Sequence, residues 1–378
     1  MLESFLTVVY CLAIAVLLLI ACGHFWKAFY SDPTSQDETF YVRTDDGWRL
    51  ALHRYRPQGD PAGAPVILCH GLSSNRYTFD LPGAPSLARF LRDHGREVWV
   101  AELRGSGMSD RPGIFRADVP YSWFFEDHLN RDVPAIISRV LDLTGFTSIH
   151  WVGHSMGGML ALAHLAQHEN PRVISAVAIG SPSDFTKIDN GAFGALLNLR
   201  GLLRYLPVFP LPFLARLVIP VVHRMSPYLG GPYCPPNIEP VVARKVVALA
   251  SELVASNSMW LNFGSFLASG RFAPQNGKPY LEGLTDSKVP IFFVAGSADM
   301  MAPEESVVAA CQTGEQTGER NCRTFGKKTG CEEDYGHMDL LVGIRTNHEV
   351  FPHILRWLED HDVLEHCPPG MQSPPEPS

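Results

Sequence analysis

The sequence predicts an α/β fold: a mostly parallel sheet covered by helices on both faces. Two patterns carry that reading. Short apolar runs recur along the chain as Val66-Ile67-Leu68-Cys69, Val98-Trp99-Val100-Ala101, Ile149-His150-Trp151-Val152, Val173–Ile179 and Ile291-Phe292-Phe293-Val294-Ala295. Continuous apolar runs of that length suit strands buried on both faces. Between them lie segments with helical spacing, and strands alternating with helices build parallel sheets.

Thr39–Arg43, the turn Asp45-Asp46-Gly47 and Trp48–Tyr55 read as an opening hairpin behind a polar linker, Ser31–Glu38. Leu87–His94 reads as a helix stopped by Gly95. Phe124–Leu143 reads as a second helix, bent or restarted at Pro134. A third helix runs through Gln167, and Pro303 suits the first turn of another. Cys322–Phe325 reads as a last strand and Val350–Asp360 as a closing helix.

The alternation places the domain core at residues 39–180 and 285–362. Residues 181–284 interrupt it. They are apolar and punctuated by proline, as in Leu206-Pro207-Val208-Phe209-Pro210-Leu211-Pro212, and a structureless loop of that length is unexpected in a compact domain. We read them as an inserted helical cap, with additional core as the alternative. The Pro- and Ser-rich tail 368–378 has the composition of a disordered segment.

Residues 1–30 form a separate hydrophobic segment. Phe5–Ala21 holds no charge and is at the short limit of the roughly 17–25 residues that cross a bilayer. It predicts a membrane anchor. Leu19-Ile20-Ala21-Cys22 resembles a bacterial lipobox, in which the cysteine is lipid-modified, whereas Met1-Leu2-Glu3-Ser4 lacks the basic residues of a signal peptide. Lys27 beyond the run mildly favours a cytoplasmic domain behind an uncleaved anchor. Single-pass anchor and lipoprotein both stay open, as does the side of the membrane.

Composition narrows the function. With 39 acidic against 31 basic residues the formal charge is −8, which disfavours nucleic acid as a partner. The eight cysteines contain no CxxC pair, so zinc-site spacing is absent. Cys311, Cys322 and Cys331 are close enough to leave open one disulfide or three reduced thiols. No GxGxxG follows the first strand, and no cofactor is implied.

The chemistry concentrates at Gly153-His154-Ser155-Met156-Gly157, which follows an apolar strand and opens a helix. That context is what a nucleophile elbow needs. The sharp turn crowds its neighbours, small residues relieve the crowding, and the serine hydroxyl is lifted to the end of the sheet. A serine hydroxyl is a weak nucleophile until a base, oriented by a third group, takes its proton. Asp299 follows the strand Ile291–Ala295, at the end of parallel strands where catalytic groups gather. A turn or helix-capping role is its structural alternative. Among fifteen histidines, His337 lies after the last strand and before the last helix, the chain order Ser, acid, His. His348, His353, His361 and His366 read as surface or helix positions, and His150 as packed. Two backbone N–H groups are needed for the oxyanion, and Met156 and Leu72 supply them, with His70 structural.

These residues resemble the α/β-hydrolase superfamily, from about Thr39 to His361, through His70-Gly71, Leu103-Arg104-Gly105-Ser106-Gly107-Met108-Ser109, the Ser155 elbow, Gly296–Asp299 and Gly336-His337. The run Gly336-His337-Met338-Asp339, with Gly343 and Val350-Phe351-Pro352, is similar to acid-lipase-type hydrolases and to hydrolase domains associated with cholesterol oxidases. The resemblance implies a serine hydrolase acting on a carboxylic ester, and the apolar insertion and N-terminal segment suggest a lipid-like substrate. Thioesterase, acyltransferase or peptidase chemistry would use the same residues. A non-catalytic binding protein on this scaffold is a further alternative, although such proteins usually lose a triad member. Dehalogenase and epoxide-hydrolase readings resemble enzymes with Asp at the elbow and are disfavoured. The oligomeric state is not legible.

Overall fold

A computed structural model describes residues 2–111, 122–169, 171–188, 215–225, 232–252, 257–274, 277–312 and 317–362. The tail 368–378, His366 and the proline-rich run Leu206–Pro212 of the expected cap lie outside the described residues.

Helix α1 (Leu2–Phe29) is longer than the uncharged run, and its apolar stretch Val9–Phe29 is almost wholly unburied. Its C-terminal end is aromatic. Phe25, Trp26, Phe29 and Tyr30 stack on one another, and Trp26 and Tyr30 also pack against the domain.

Strands β1 (Glu38–Arg43) and β2 (Arg49–Tyr55) form the expected hairpin, with Gly47 at φ 91° in its turn, the left-handed region that favours glycine. β3 (Val66–Cys69), helix α2 (Leu87–Asp93) and β4 (Val98–Glu102) follow. Ser86 caps α2 by accepting from the Arg89 N–H at 3.1 Å, and Gly95 at φ 84° ends it.

The predicted helix Phe124–Leu143 begins as a turn, Phe125–Asp127, widens into a π-helical turn, His128–Asp132, and continues as α3 (Val133–Thr144). Pro134 lacks an N–H and its ring would crowd the carbonyl four residues earlier, and the wide turn accommodates both defects without ending the helix. Then come β5 (Ile149–His154), α4 (Met156–Gln167) and β6 (Val173–Ile179). Within 181–284 the described helices include α5 (Pro240–Lys245), continued by a π-helical turn Val246–Ala250, α6 (Asn257–Ser269) and α7 (Tyr280–Leu284). The chain closes through β7 (Ile291–Gly296), α8 (Glu304–Gln312), β8 (Arg320–Phe325) and α9 (Phe351–Asp360). Of the three candidate cysteines, Cys311 and Cys322 form the disulfide, tying α8 to β8, and Cys331 is free.

The eight strands pair in the order β1-β2-β4-β3-β5-β6-β7-β8, antiparallel at β1–β2 and β2–β4 and parallel elsewhere. Alternation along β3 shows the two layers. Ile67 and Cys69 enter a cluster with α3 and α4, while Val66 and Leu68 enter one with α2 and α9.

The described parts of 181–284 divide between these layers. Phe263, Phe266, Phe272 and Tyr280 join the α4 side, where Phe125 and Phe185 meet them ring to ring. Ile219, Val222, Tyr233 and Val242 join the other side, and the Val246–Ala250 turn there receives the end of α1.

Candidate active site

The elbow is built as its residue types require. Ser155 sits at φ 53° and ψ −121°, a strained conformation for a side-chain-bearing residue, between β5 and α4. Its N–H donates to the Ile179 carbonyl at 2.8 Å, and its own carbonyl accepts from Gly158 and Met159 at 3.0 and 3.1 Å. A Cβ on Gly153 would overlap the backbone of Gly157, and one on Gly157 would overlap the Cys69 carbonyl. The helix can therefore approach the sheet only with glycine at both places. Gly157→Ala is expected to cost about 3 kcal/mol or more, because a rigid backbone must move rather than a side chain. Thermal unfolding measures it, and wild-type melting would mean that the helix does not press this closely on the sheet.

Asp299 is buried beyond the end of β7, and its two carboxylate oxygens face different partners. Oδ1 accepts from the Met301 and Ala302 N–H groups at 2.9 and 2.8 Å, forming a turn ahead of α8. Oδ2 lies 2.7 Å from Nδ1 of His337. A carboxylate only accepts, so Nδ1 carries the hydrogen and Nε2 is left as a proton acceptor. His337 is itself 4% exposed, which protects this pair from competition by water. Gly180 follows the carbonyl that holds Ser155, and its hypothetical Cβ would lie 3.2 Å from His337 Nδ1 and 3.4 Å from Asp299 Oδ2. Gly180 thus sits beside the His337–Asp299 pair and directly after the Ile179 carbonyl that holds Ser155.

His154 was not singled out by the sequence beyond its place in the elbow. Its Nε2 donates to the His337 carbonyl at 3.1 Å, and the two rings lie 4.6 Å apart. Burial, and then the neighbouring His337, holds this imidazole uncharged well below the usual histidine range. No composition signal marks such a contact. Only its position next to Ser155 hinted at one.

The loop after β3 lies against Ser155. A Cβ on Gly71 would come within 2.9 Å of Ser155 Cβ and 3.4 Å of Oγ. Leu72 and Met156 line one cavity together with Ser73, Gly105, Ser106 and His128. Met156 opens α4, where the first N–H groups have no partner within the helix. His70 is structural: Nδ1 donates to the Gly71 carbonyl at 2.8 Å and Nε2 accepts from Leu103 N–H at 3.2 Å. Burial keeps it neutral. His150 is packed as expected, against Ser175 at 2.8 Å and Asp362 at 3.1 Å.

Two further supports were not legible. Arg104, buried in the loop after β4, donates to Asp132 Oδ1 and Asp46 Oδ2, each at 2.8 Å, and joins the hairpin turn to the π-helical turn. Glu252 donates its N–H to the Ser73 carbonyl at 2.8 Å, while its side chain accepts from Asn75 at 2.7 Å and pairs with Arg111 at 3.2 Å. The insertion thereby holds Ser73, itself at φ 56°, in the loop after β3.

Known proteins agree with this architecture. The family described as alpha/beta hydrolase fold matches residues 64–344. Lipase 1 of Drosophila melanogaster is 34% identical over 40% of this chain and 35% of its own length. Human gastric triacylglycerol lipase is 31% identical over 37% of each chain, and sterol esterase 2 of Saccharomyces cerevisiae 25% identical over 54% of this chain and 40% of its own. The chain spans about a third of the length of the first curated relatives it matches. Among solved structures, an esterase of Thermogutta terrifontis superposes with a TM-score of 0.56 at 18% identity, covering 86% of this chain and 100% of that one. A monoacylglycerol lipase of Paleococcus ferrophilus gives a TM-score of 0.56 at 17% identity over 83% of this chain and 99% of its own. With a family match over well over half of its 378 residues and the strand order to go with it, the chain belongs to the α/β-hydrolase fold family.

Proposed function

We propose that the chain hydrolyses a carboxylic ester with an apolar, lipid-like part, through Ser155, His337 and Asp299. The single observation that carries this reading is the buried 2.7 Å His337–Asp299 pair, whose histidine is bonded through its carbonyl to His154, the residue before a serine held at φ 53°. Ser155 Oγ attacks the ester carbonyl while His337 Nε2 takes its proton. Asp299 fixes the tautomer and stabilises the imidazolium. The N–H groups of Met156 and Leu72 receive the oxyanion, and the imidazolium returns its proton to the leaving alcohol. Water then attacks the acyl-serine by the same route, freeing the acid. Lipases and a sterol esterase among the relatives support a lipid-like substrate. A peptidase selecting free amino termini would want an available carboxylate in the insertion, and Glu252 is already engaged by Asn75 and Arg111.

Para-nitrophenyl esters of graded acyl length test this reading, with the Ser155→Ala protein as control. Turnover that rises with acyl length and vanishes in the variant is the expected result. A wild-type protein that neither turns over these esters nor reacts with a fluorophosphonate at Ser155 would overturn it.

We also propose that α1 anchors the protein in a bilayer, as a single-pass segment with its aromatic end at the interface. Trp26 and Tyr30 pack on the domain beside the Val246–Ala250 turn, which would turn the insertion toward the membrane. The full chain is expected to float with phosphatidylcholine vesicles, and a chain lacking residues 1–30 to stay in the soluble fraction. Equal flotation of both would remove α1 as the anchor.

A further inference from the structure

The run Gly336-His337-Met338-Asp339 contains one chemistry-bearing residue that the proposed reaction leaves unused. Asp339 is fully buried at the start of a short helix, Asp339–Val342. Its Oδ2 accepts two backbone N–H groups, from Gly336 at 2.9 Å and from Cys234 at 2.6 Å. The first donor immediately precedes His337, and the second belongs to the insertion. The same two segments meet again where Met338 N–H donates to the Pro232 carbonyl at 2.8 Å. They meet a third time at Gly336, whose Cβ would fall 2.7 Å from Tyr233 Cα. Thr346 Oγ donates to the Asp339 carbonyl at 2.8 Å and fixes the residue from behind. Oδ1 is buried, with no hydrogen-bond partner among the described residues.

We propose that Asp339 is the positioning residue for His337: its carboxylate fastens the loop carrying the base to Pro232–Cys234, so the seating of the insertion and the placement of the base are set together. This inference rests on His337 acting as the base.

The chemistry of the side chain suits the role. A carboxylate oxygen accepts two N–H bonds at once, and charge-assisted bonds are the stronger kind. Burial pushes the Asp339 carboxyl up to about 7, the Gly336 and Cys234 N–H groups oppose that, and the Asp299 charge adds to it. The group therefore changes charge in the range where a histidine works. The ionisable groups that face it are Asp299 from the β7–α8 loop, His337 from its own loop, and Tyr233 and Cys234 from the insertion. Burial, then the nearby Asp339 charge, raises both the Tyr233 phenol and the Cys234 thiol, so neither supplies a competing charge near neutrality. His154, behind His337, is held uncharged. An ionised Asp339 places a negative charge beside His337, and a neutral side chain at this position removes it.

The test compares full-length wild type with Asp339→Asn, Asp339→Ala and His337→Ala by kcat and KM across pH, alongside thermal melting. Asparagine keeps an acceptor oxygen for the two N–H groups and removes the charge, whereas alanine strands both donors. The expected result is a roughly 100-fold fall in kcat for Asp339→Ala with KM little changed, as for a displaced catalytic group. Asp339→Asn is expected to keep kcat within tenfold of wild type at neutral pH and to move the acid limb of kcat/KM to lower pH. An unmoved acid limb in folded Asp339→Asn would overturn the inference, and this arm decides even where the alanine variant fails to fold. Wild-type kcat in a folded Asp339→Ala protein would overturn it equally. The reading beneath it fails separately, and is recognised separately, when His337→Ala retains wild-type turnover.

Discussion

Ser155→Ala is expected to lower ester turnover by roughly 10⁴- to 10⁶-fold while leaving the fold intact. The substitution removes only Oγ. The backbone bonds that shape the elbow, Ser155 N–H to Ile179 and the Ser155 carbonyl to Gly158 and Met159, do not involve the side chain. Alanine at φ 53° is strained to the same degree as serine, so the change in stability should stay within about 1 kcal/mol. Loss of activity with an unchanged melting temperature therefore reports on chemistry alone. Residual turnover would come from substrate binding and from the Leu72 and Met156 N–H groups acting on water-driven hydrolysis. His337→Ala should cost about as much, and the double variant little more, because a base without a nucleophile has nothing to activate. A Ser155→Ala protein within tenfold of wild type would place the nucleophile elsewhere and leave the elbow a structural turn.

Much of the fold could be read from the chain because its signals are local. Each buried strand announced itself as an apolar run, and the strand boundaries at Val173–Ile179 and the helix end at Gln167 coincide with those read from sequence. The elbow was legible for the same reason. Crowding between β5 and α4 selects glycine at Gly153 and Gly157, so geometry is written into residue type. Asp299 and His337 followed from their places after particular strands.

What stayed hidden depends on contacts between distant segments. Nothing in the composition of Pro232–Cys234 indicates that it lies on the loop carrying His337, or that Asp339 bridges the two. Three cysteines within a short stretch left open whether a bridge forms, and only the approach of α8 to β8 picks Cys311 and Cys322. The π-helical turn at His128–Asp132 has no residue signature of its own, since proline marks the defect but not how the backbone absorbs it. The insertion was hardest to place because it is apolar without a single periodic face. Phe185, Phe263, Phe266, Phe272 and Tyr280 join one side of the sheet, whereas Ile219, Val222, Tyr233 and Val242 join the other, and both assignments are tertiary.

Asp299→Asn separates the two functions of that side chain. The asparagine carbonyl oxygen can still accept from the Met301 and Ala302 N–H groups, so the turn ahead of α8 is kept. The atom facing His337 Nδ1 becomes an amide NH₂, a donor where an acceptor stood at 2.7 Å. To avoid opposing donors, the imidazole must place its hydrogen on Nε2, and the nitrogen that should take the Ser155 proton no longer can. The negative charge that stabilised the imidazolium is lost as well. The expected fall in kcat is roughly 10⁴-fold, with KM and thermal melting close to wild type. This outcome would differ from Asp299→Ala, which also strands the Met301 and Ala302 N–H groups and should lose stability along with activity. Equal melting of the two variants would show that the turn does not depend on Oδ1. Equal and near-wild-type activity would mean that His337 takes its orientation from elsewhere, from the His154 bond to its carbonyl and the Asp339 bonds that fasten its loop.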